Sequence, residues 1–550
     1  MGSRLRELSK NITIYGLGDV AVSIVSFFLL PIFVDYLDAR DYGVLAILGS
    51  IEVVGKIVFR FGLDGSFMRF FYDCEADEDR RRLASTIFFF LLALNGVVLA
   101  PLLIFAPQIA SWLFGTSGYT MALRLLLVNT FAIGFTFLPF HVLRIERQST
   151  IFSALTLARS VMTIVLRVVF VIFLRMHVTG IYLADVLVTA CVMVALAKWF
   201  APLIRPVFSW ATLRETLAFG LPRVPHAGAQ QVMAVGDRFI LNMFAKVDEV
   251  GIYQIAVSFG LTEKLFLSAF ESAWAPFYYA TVKDADARRV FRTVTTYGFA
   301  VLVLLTAGLS ATGRDLVEAM THGRIMAPAD PRWADVATVI TWTAVGVLLQ
   351  GVYLLTSIGL NLTKRTQYYP IATSIAAATN VGLNFLLIPR FGMVGAAWAN
   401  GACYAVQALL GYLFSQRFYN ISYEWGRLAR VAAAGLIATL AAHALPAVRL
   451  ASVDARSVMA ALPDAFARGI VVIAVYVALL AATGFLRAEE LRAVRAMWRR
   501  QRTPRVAGTP DSTELAGAIV ATDVVATADD VAIEESGEQP SALTAGSRRT

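Results

Sequence analysis

Apolar residues recur along the chain in runs of about twenty, separated by short polar segments. A helix of roughly twenty apolar residues is long enough to cross the hydrocarbon core of a bilayer. The pattern therefore predicts an all-α polytopic membrane protein with about 14 transmembrane helices. The predicted spans are 12–36, 43–63, 84–106, 120–140, 150–174, 180–203, 213–244, 250–280, 291–312, 334–360, 367–388, 393–416, 428–446 and 466–486.

Two features refine this pattern. Pro222 and Pro225 fall inside the long seventh span and should kink or break it. If the N-terminus lies inside, the main basic clusters fall in cytoplasmic loops, where Lys and Arg concentrate. These clusters are Arg80–Arg82, Arg288–Arg289, Lys364–Arg365 and 487–505. We therefore expect a multi-pass protein of the plasma (inner) membrane with both termini in the cytoplasm.

Composition supports the same class. Hydrophobic residues make up 58% of the 550 residues and charged residues only 16%, whereas soluble domains carry about 25%. The net charge of +9 would suggest nucleic acid as a partner of a soluble protein, but here the cytoplasmic loops account for it. No nucleic-acid partner is expected.

An internal repeat divides the spans into two sets of six. A shift of 208 positions places DYGVLAI (41–47) on EVGIYQI (249–255), and Lys56 on Lys264. Later in the chain a shift of 215 places RMHVTGIYLAD (175–185) on RFGMVGAAWAN (390–400). Repeats in the same orientation predict two six-helix lobes, related by an axis along the membrane normal, around a central cavity.

The resulting domain prediction has five parts. The lobes are the N-lobe (12–206, spans 1–6) and the C-lobe (207–416, spans 7–12). Spans 13 and 14 (417–486) are two extra helices. The termini are a cytoplasmic N-terminus (1–11) and a tail (487–550) that is basic and then, from its Ala-, Thr- and Ser-rich composition, expected to be disordered.

Motifs for catalysis are missing from the sequence. It contains no GxxxxGK[ST] phosphate loop, no HExxH motif, no Cys/His cluster with metal-ligand spacing and no GxSxG elbow. The predicted external loops are too short to hold a soluble catalytic domain. We therefore expect a transporter rather than an enzyme, without a metal or another cofactor.

Charged residues inside the predicted spans carry the candidate chemistry. An ionisable side chain at the bilayer centre costs roughly 2.5–3.5 kcal/mol on insertion scales, so it usually faces a cavity or a partner. Several arginines and lysines in a cavity would favour an anion such as a diphosphate, because guanidinium forms bidentate bonds with phosphoryl oxygens. The predicted diphosphate-binding residues are Lys56, Arg60, Arg159, Arg167, Arg223 and Lys264. The predicted gating or ion-coupling residues are Asp19, Glu52, Asp237, Arg238, Glu263 and Glu271.

One alternative interpretation stays open for the second span. In GSIEVVGKIVFRFGLDGSF (49–67), Glu52 precedes Lys56 by four residues and Arg60 precedes Asp64 by four. Such spacing lets each pair neutralise itself along one helix face. The stripe of charges would then line the cavity without forming the anion site alone, and any net positive field would come chiefly from Arg159 and Arg223.

Motifs in the first two spans and at the start of the second lobe resemble those of a known family. The first span ends near Pro31 and a short turn leads to Tyr42-Gly43; Gly62-Leu63 then precedes Arg69-Phe70. The second lobe opens with FGLPRVPHAGAQQVMAVGDRFIL (219–241) and VGIYQIA (250–256). These motifs resemble those of polysaccharide biosynthesis proteins of the multidrug/oligosaccharidyl-lipid/polysaccharide (MOP) exporter superfamily, over roughly residues 9–420.

The resemblance implies a flippase that moves undecaprenyl-diphosphate-linked oligosaccharides to the external leaflet by alternating access. The expected partners are this substrate, membrane lipids, and the polysaccharide polymerase and export machinery. A peptidoglycan precursor (lipid II) flippase is the runner-up. A multidrug antiporter fits less well, because organic cations favour net buried carboxylates. A polysaccharide polymerase or ligase would need a larger external acidic loop.

Overall fold

The computed structural model describes residues 29–146, 148–321, 324–326, 330–445 and 461–485. The predicted N-terminal segment 1–11, most of the first predicted span (with Asp19) and the tail 487–550 lie outside the described residues.

Regular structure in the described segments is helical throughout. The first half of the chain forms α1 (Leu30–Phe33), α2 (Ala39–Val58), α3 (Leu63–Asp73), α4 (Asp77–Ile104), α5 (Ala106–Phe114), α6 (Thr120–Ile145), α7 (Ser149–Val168) and α8 (His177–Phe200). The second half forms α9 (Trp210–Gly220), α10 (Val224–Phe244), α11 (Val247–Gly260), α12 (Glu263–Thr281), α13 (Ala287–Thr321), α14 (Trp333–Thr356), α15 (Ile358–Leu362), α16 (Tyr368–Phe418), α17 (Trp425–His443) and α18 (Leu462–Ala482).

Helices occupy every predicted span from the second to the fourteenth. Within the described residues, nine helical segments are long and apolar enough to cross a membrane, or ten if the bent pair α11 and α12 counts as one span. The all-α membrane fold is therefore confirmed, while the count of fourteen spans stays a prediction.

Outward-facing side chains explain why these helices need a bilayer. Val97 on α4 is 72% exposed and Val194 on α8 is 77% exposed. Phe173, in the π-helical turn Val169–Phe173 that follows α7, is 75% exposed. Exposed apolar surface of this kind is unfavourable in water but stable against lipid chains. The chain is a multi-pass membrane protein.

Three spans are interrupted, and one interruption was predicted. Span 7 divides at its prolines, because α9 ends at Gly220 and a 3-10 turn, Leu221–Arg223, precedes α10. Span 2 divides between α2 and α3, where Phe61 and Gly62 adopt positive φ angles of 49° and 69°. Span 8 bends by 46° between α11 and α12. The breaks in spans 2 and 8 contain no proline, so they could not be predicted from the residues in the same way.

Spans 11 and 12 both lie within α16, which is divided by a sharp turn at Gly392. Gly392 adopts φ 54° and ψ −134°, three residues after Pro389. These angles are open to glycine but strained for residues with a side chain. The turn falls between the predicted spans 367–388 and 393–416, so the sequence located this boundary correctly.

The two lobes meet where α2 crosses α11. A Cβ atom added to Gly43 would lie 2.0 Å from the Val247 carbonyl oxygen, and one added to Gly251 would lie 1.8 Å from the Ala39 carbonyl oxygen. The 208-position shift maps Gly43 onto Gly251 and Ala39 onto Val247, so it turns each of these two contacts into the other. A contact that is reciprocal in this way is the signature of a two-fold relation, here between the repeated halves of one chain.

The last two helices pack on α13. The Tyr476 hydroxyl of α18 donates a hydrogen bond to the Ala300 carbonyl oxygen at 2.8 Å, and Arg468 pairs with Asp315 at 2.8 Å. Gly435 of α17 lies so close to α13 that an added Cβ would be 2.3 Å from Val303 Cγ1. Spans 13 and 14 thus attach to the outer side of the ninth predicted span.

Candidate functional site

Two of the six predicted diphosphate-binding residues have a carboxylate partner. Lys56 Nζ lies 2.6 Å from Glu52 Oε1, one helical turn earlier on α2. Arg167 on α7 makes a bidentate pair with Asp185 on α8, with Nε–Oδ1 and Nη2–Oδ2 distances of 3.0 and 2.8 Å. Both cations therefore have an internal counter-ion.

These two pairs form one polar cluster in the N-lobe. Glu52 interacts electrostatically with Arg167 as well as with Lys56, and Tyr182 on α8 lies among the same charges. The two cations and two carboxylates sum to zero formal charge. The cluster thus supplies hydrogen-bonding groups but little net positive field.

Arg60 and Arg159 form the positive part of the N-lobe. Neither has a carboxylate within ion-pair distance in the described part of the chain. Arg60 carries its guanidinium 5.7 Å from the centre of the Phe137 ring, and its buried Nε has no hydrogen-bond partner there. Arg60 is repelled by Arg159 and attracted by Asp64. Two neighbouring cations with unused donors are suited to an anion.

Arg223 lies where the lobes meet at the predicted cytoplasmic end. Its guanidinium carbon is 4.2 Å from the centre of the Phe219 ring, and that of Arg69 from α3 is 5.4 Å from the same ring. A cation over an aromatic face is attracted to it. Phe219 of the C-lobe thus holds one arginine from each lobe, and Arg223 is exposed.

The same end is closed by direct contact between α3 and α9. The Ser66 hydroxyl donates a hydrogen bond to the Thr216 carbonyl oxygen at 2.8 Å. A Cβ atom added to Gly220 would lie 2.5 Å from the Gly62 carbonyl oxygen, so the backbones touch where spans 2 and 7 are broken. Phe70 of α3 also packs edge-on against Phe219 of α9, with ring centroids 5.9 Å apart. The α3–α9 contact therefore joins the lobes at the predicted cytoplasmic end, where a gate would lie.

Lys264 and Glu271 line a polar pocket within the C-lobe. The pocket has a volume of about 410 Å³ and is formed by α10, α12, α14 and α16. The other polar side chains that line it are Gln230, Gln231, Ser268, Gln350, Tyr353, Tyr404 and Gln407. The glutamines were not predicted as site residues; the only signal for them was glutamine inside apolar spans.

The repeat-matched lysines occupy different local structures. Lys56 lies in the last turn of α2, before the break of span 2. Lys264 lies in the first turn of α12, after the bend of span 8. The bend in span 8 therefore comes earlier in its repeat than the break in span 2, and the two lysines lie on opposite sides of these interruptions.

Asp237 and Arg238 form a buried ion pair within the C-lobe. Arg238 Nη1 lies 2.7 Å from Asp237 Oδ1, and Arg238 Nε donates to Gln254 Oε1 at 3.0 Å. The Tyr253 hydroxyl donates to the other Asp237 oxygen. Arg238 also lines a cavity of about 320 Å³ between α2 and α10–α11. The pair is engaged in packing and has few free donors for a ligand.

Glu263 is buried at the first residue of α12, just after the bend. It is 3% exposed, and the Thr306 hydroxyl lies 3.1 Å from each of its carboxylate oxygens. No ion-pair partner of Glu263 is found among the residues that the structure covers. The next residue, Lys264, faces the C-lobe pocket instead, as expected for adjacent helical positions.

Comparisons with known proteins give a family and a fold. A family model described as polysaccharide biosynthesis protein matches residues 36–321, just over half of the chain. No curated protein matches the sequence. Two solved structures share the fold at low sequence identity.

The first is the lipid II flippase MurJ in an inward closed conformation. It matches with a TM-score of 0.62 and 16% identity, over 84% of this chain and 98% of that one. The second is an inward-facing multidrug resistance MATE family transporter of the MOP superfamily. It matches with a TM-score of 0.58 and 15% identity, over 74% of this chain and 95% of that one.

Proposed function

This chain belongs to the polysaccharide biosynthesis protein family, and we propose that it is a flippase for a polyprenyl-diphosphate-linked oligosaccharide. It moves this lipid from the cytoplasmic to the external leaflet of the plasma (inner) membrane and so feeds surface polysaccharide assembly. The observation that carries the proposal is the set of arginines without carboxylate partners in the described residues, Arg60, Arg159 and Arg223, within a MOP-superfamily fold.

A diphosphate needs a site of this kind. It carries several oxygen acceptors and a concentrated negative charge, which is costly to move away from water unless cations replace the lost hydration. Charge-assisted bonds to guanidinium are among the strongest that a protein can offer. Arg60 and Arg159 provide them in the N-lobe, and Arg223 provides one at the predicted cytoplasmic end, where the substrate is first available.

Two contacts between the lobes support alternating access as the proposed mechanism. The α2–α11 crossing at Gly43 and Gly251 closes the predicted external side, and the α3–α9 contact at Ser66 and Thr216 closes the cytoplasmic side. In our proposal the lobes rock so that one contact opens while the other holds. Both contacts bring backbones of the two lobes close together, at Gly43 and Gly251 on one side and at Gly62 and Gly220 on the other.

A lipid II flippase is the second candidate. The match to MurJ covers 84% of this chain, more than the MATE transporter match does. The same cations would serve a lipid-linked diphosphate of either kind. A multidrug antiporter is less well supported, because Glu271 in the C-lobe pocket is accompanied by Lys264. A polymerase or ligase has no support from the fold.

Energy coupling and partners complete the proposal. The membrane potential, an ion gradient or consumption of the product drives net transport. Glu263 is the described carboxylate best suited to coupling, since Thr306 rather than a cation is its partner. A polymerase and export machinery take the product outside, and both termini lie in the cytoplasm.

The test is a deletion strain and a reconstituted assay. Loss of the protein should leave lipid-linked oligosaccharide on the cytoplasmic leaflet, and purified protein should move that lipid across proteoliposome membranes. Accumulation of lipid II would instead identify the second candidate. Unlinked repeat units outside the cell would contradict a flippase and indicate a polymerase.

A further inference from the structure

The C-lobe pocket differs in chemistry from the cationic sites. Its two charged side chains, Lys264 and Glu271, have opposite signs, and its remaining polar groups are neutral amides and hydroxyls. A diphosphate would require a net positive charge there, and an organic cation a net negative one. The pocket therefore fits a ligand that is uncharged or nearly so and rich in hydrogen-bonding groups.

The glutamines have bonding capacity to spare. Gln231 and Gln350 make no side-chain hydrogen bond within the part of the chain that the structure describes. Gln407 uses one amide hydrogen on Thr373 Oγ1 at 3.4 Å. A side-chain amide offers two donors and an acceptor, so both glutamines present hydrogen-bonding groups to the pocket. Groups on a ligand can satisfy them.

Sugar hydroxyls match this set of groups. Each hydroxyl both donates and accepts, as each glutamine amide does. The rings of Tyr353 and Tyr404 add aromatic surface beside the amides, on which the apolar face of a sugar can stack. The volume of about 410 Å³ lies within the range of roughly 300–1,000 Å³ typical of small-molecule pockets.

We propose that this C-lobe pocket binds the glycan part of the substrate through Gln231 and Gln350, while the unpaired cations elsewhere hold the diphosphate. This inference rests on the proposed flippase function. It assigns the two parts of one head group to different sites, with the glycan in the C-lobe and the diphosphate beside Arg60 and Arg159 of the N-lobe. A ligand that engages both lobes can favour one arrangement of the lobes over another.

The experiment compares two lipids on the full-length protein in detergent. One is undecaprenyl diphosphate without sugar, and the other is the undecaprenyl-diphosphate-linked oligosaccharide extracted from a strain lacking the protein. The test variant combines Gln231→Met and Gln350→Met, which removes both amides with little change in volume. Gln367→Met is the matched control, because Gln367 is exposed and outside the pocket.

The test variant should bind the glycan-linked lipid about tenfold or more weakly, since it loses hydrogen bonds to the sugar. Its affinity for undecaprenyl diphosphate should be unchanged, and the control should bind both lipids normally. Equal affinity of variant and unmodified protein for the glycan-linked lipid, or equal losses for both lipids, would overturn the inference and leave the flippase proposal standing. Failure of the unmodified protein to bind or move the glycan-linked lipid would overturn the flippase proposal itself.

Discussion

Gly43 and Gly251, 208 positions apart, each lie against the backbone of the other's helix where α2 crosses α11. Each glycine faces the residue four positions before the other, Val247 for Gly43 and Ala39 for Gly251. Each lobe therefore contributes the equivalent glycine and the equivalent carbonyl group to the contact, as a two-fold relation requires. No side chain larger than hydrogen fits at either position without separating the helices.

The first prediction concerns this crossing. Gly43→Ala or Gly251→Ala should destabilise the protein by about 1–3 kcal/mol, because the added methyl group forces the two helices apart. The double variant should cost less than the sum of the two, since the first methyl group already opens the crossing. Thermal unfolding of the detergent-solubilised protein measures both effects.

Gly96→Ala on α4 is the control, because nothing lies within 4 Å of its added Cβ atom. It should leave stability unchanged or slightly higher. Full additivity of the two crossing substitutions would contradict a shared contact.

The second prediction separates structure from substrate binding at Arg167. Asp185→Leu should lower the free energy of unfolding by about 1–3 kcal/mol. The loss should be smaller than for a fully buried ion pair, because the Arg167 side chain is 38% exposed. Adding Arg167→Met should restore most of that loss, since two apolar groups leave no unpaired charge. Thermal unfolding reports the stability, and proteoliposome assays report transport.

Recovery of both stability and transport in the double variant would assign Arg167 to packing. Recovery of stability without transport would keep it among the diphosphate-binding residues, where the sequence placed it. The bidentate pair with Asp185 favours the first outcome, because the donors that a diphosphate would need are already in use.

The sequence places charged residues inside the predicted spans, but it does not show which of them pair with one another. The spacing of Glu52 and Lys56 made their ion pair predictable, since both lie on one helix face. The same spacing suggested a pair between Arg60 and Asp64, but Arg60 lies in the turn after α2 and Asp64 lies on α3, beyond the break at Phe61 and Gly62. A helix-face argument fails across such a break.

Ion pairs between residues on separate helices also could not be predicted from the local sequence pattern. Arg167 and Asp185 lie on separate helices, and only the packing of α7 on α8 brings their side chains together. The glutamines of the C-lobe pocket come from three helices and form a site only through the fold. By contrast, the lengths of apolar runs, the prolines of span 7 and the repeat predicted the architecture, because these signals are local or periodic.

The third prediction concerns the cations without carboxylate partners. Arg60→Gln, Arg159→Gln and Arg223→Gln should each reduce translocation about tenfold or more, as expected for loss of a charge-assisted bond. Lys56→Gln should have a smaller effect, because Lys56 is already neutralised by Glu52. Translocation is measured in proteoliposomes, with equal amounts of inserted protein.

Arg430→Gln on α17 is the control for removing a cation outside the lobes. Its guanidinium donates to the Thr483 carbonyl oxygen and is exposed. Normal translocation in all three single variants would contradict the cationic site, and equal losses in the control would indicate a general effect of charge.

The last prediction tests the contact between α3 and α9 as a moving gate. Ser66 and Thr216 touch across the lobes in this conformation, where the Ser66 hydroxyl meets the Thr216 carbonyl oxygen. Cysteines at both positions, in a chain with Cys74, Cys191 and Cys403 replaced, should therefore react together with a short thiol crosslinker. Crosslinking should stop translocation nearly completely, because the cytoplasmic side can no longer open.

A reducible crosslinker should allow transport to return on reduction. Each single-cysteine variant treated in the same way should keep its transport, which shows that modification alone is harmless. Full transport by a quantitatively crosslinked protein would mean that substrate reaches the cavity without separation of α3 and α9, and alternating access through this contact would have to be abandoned.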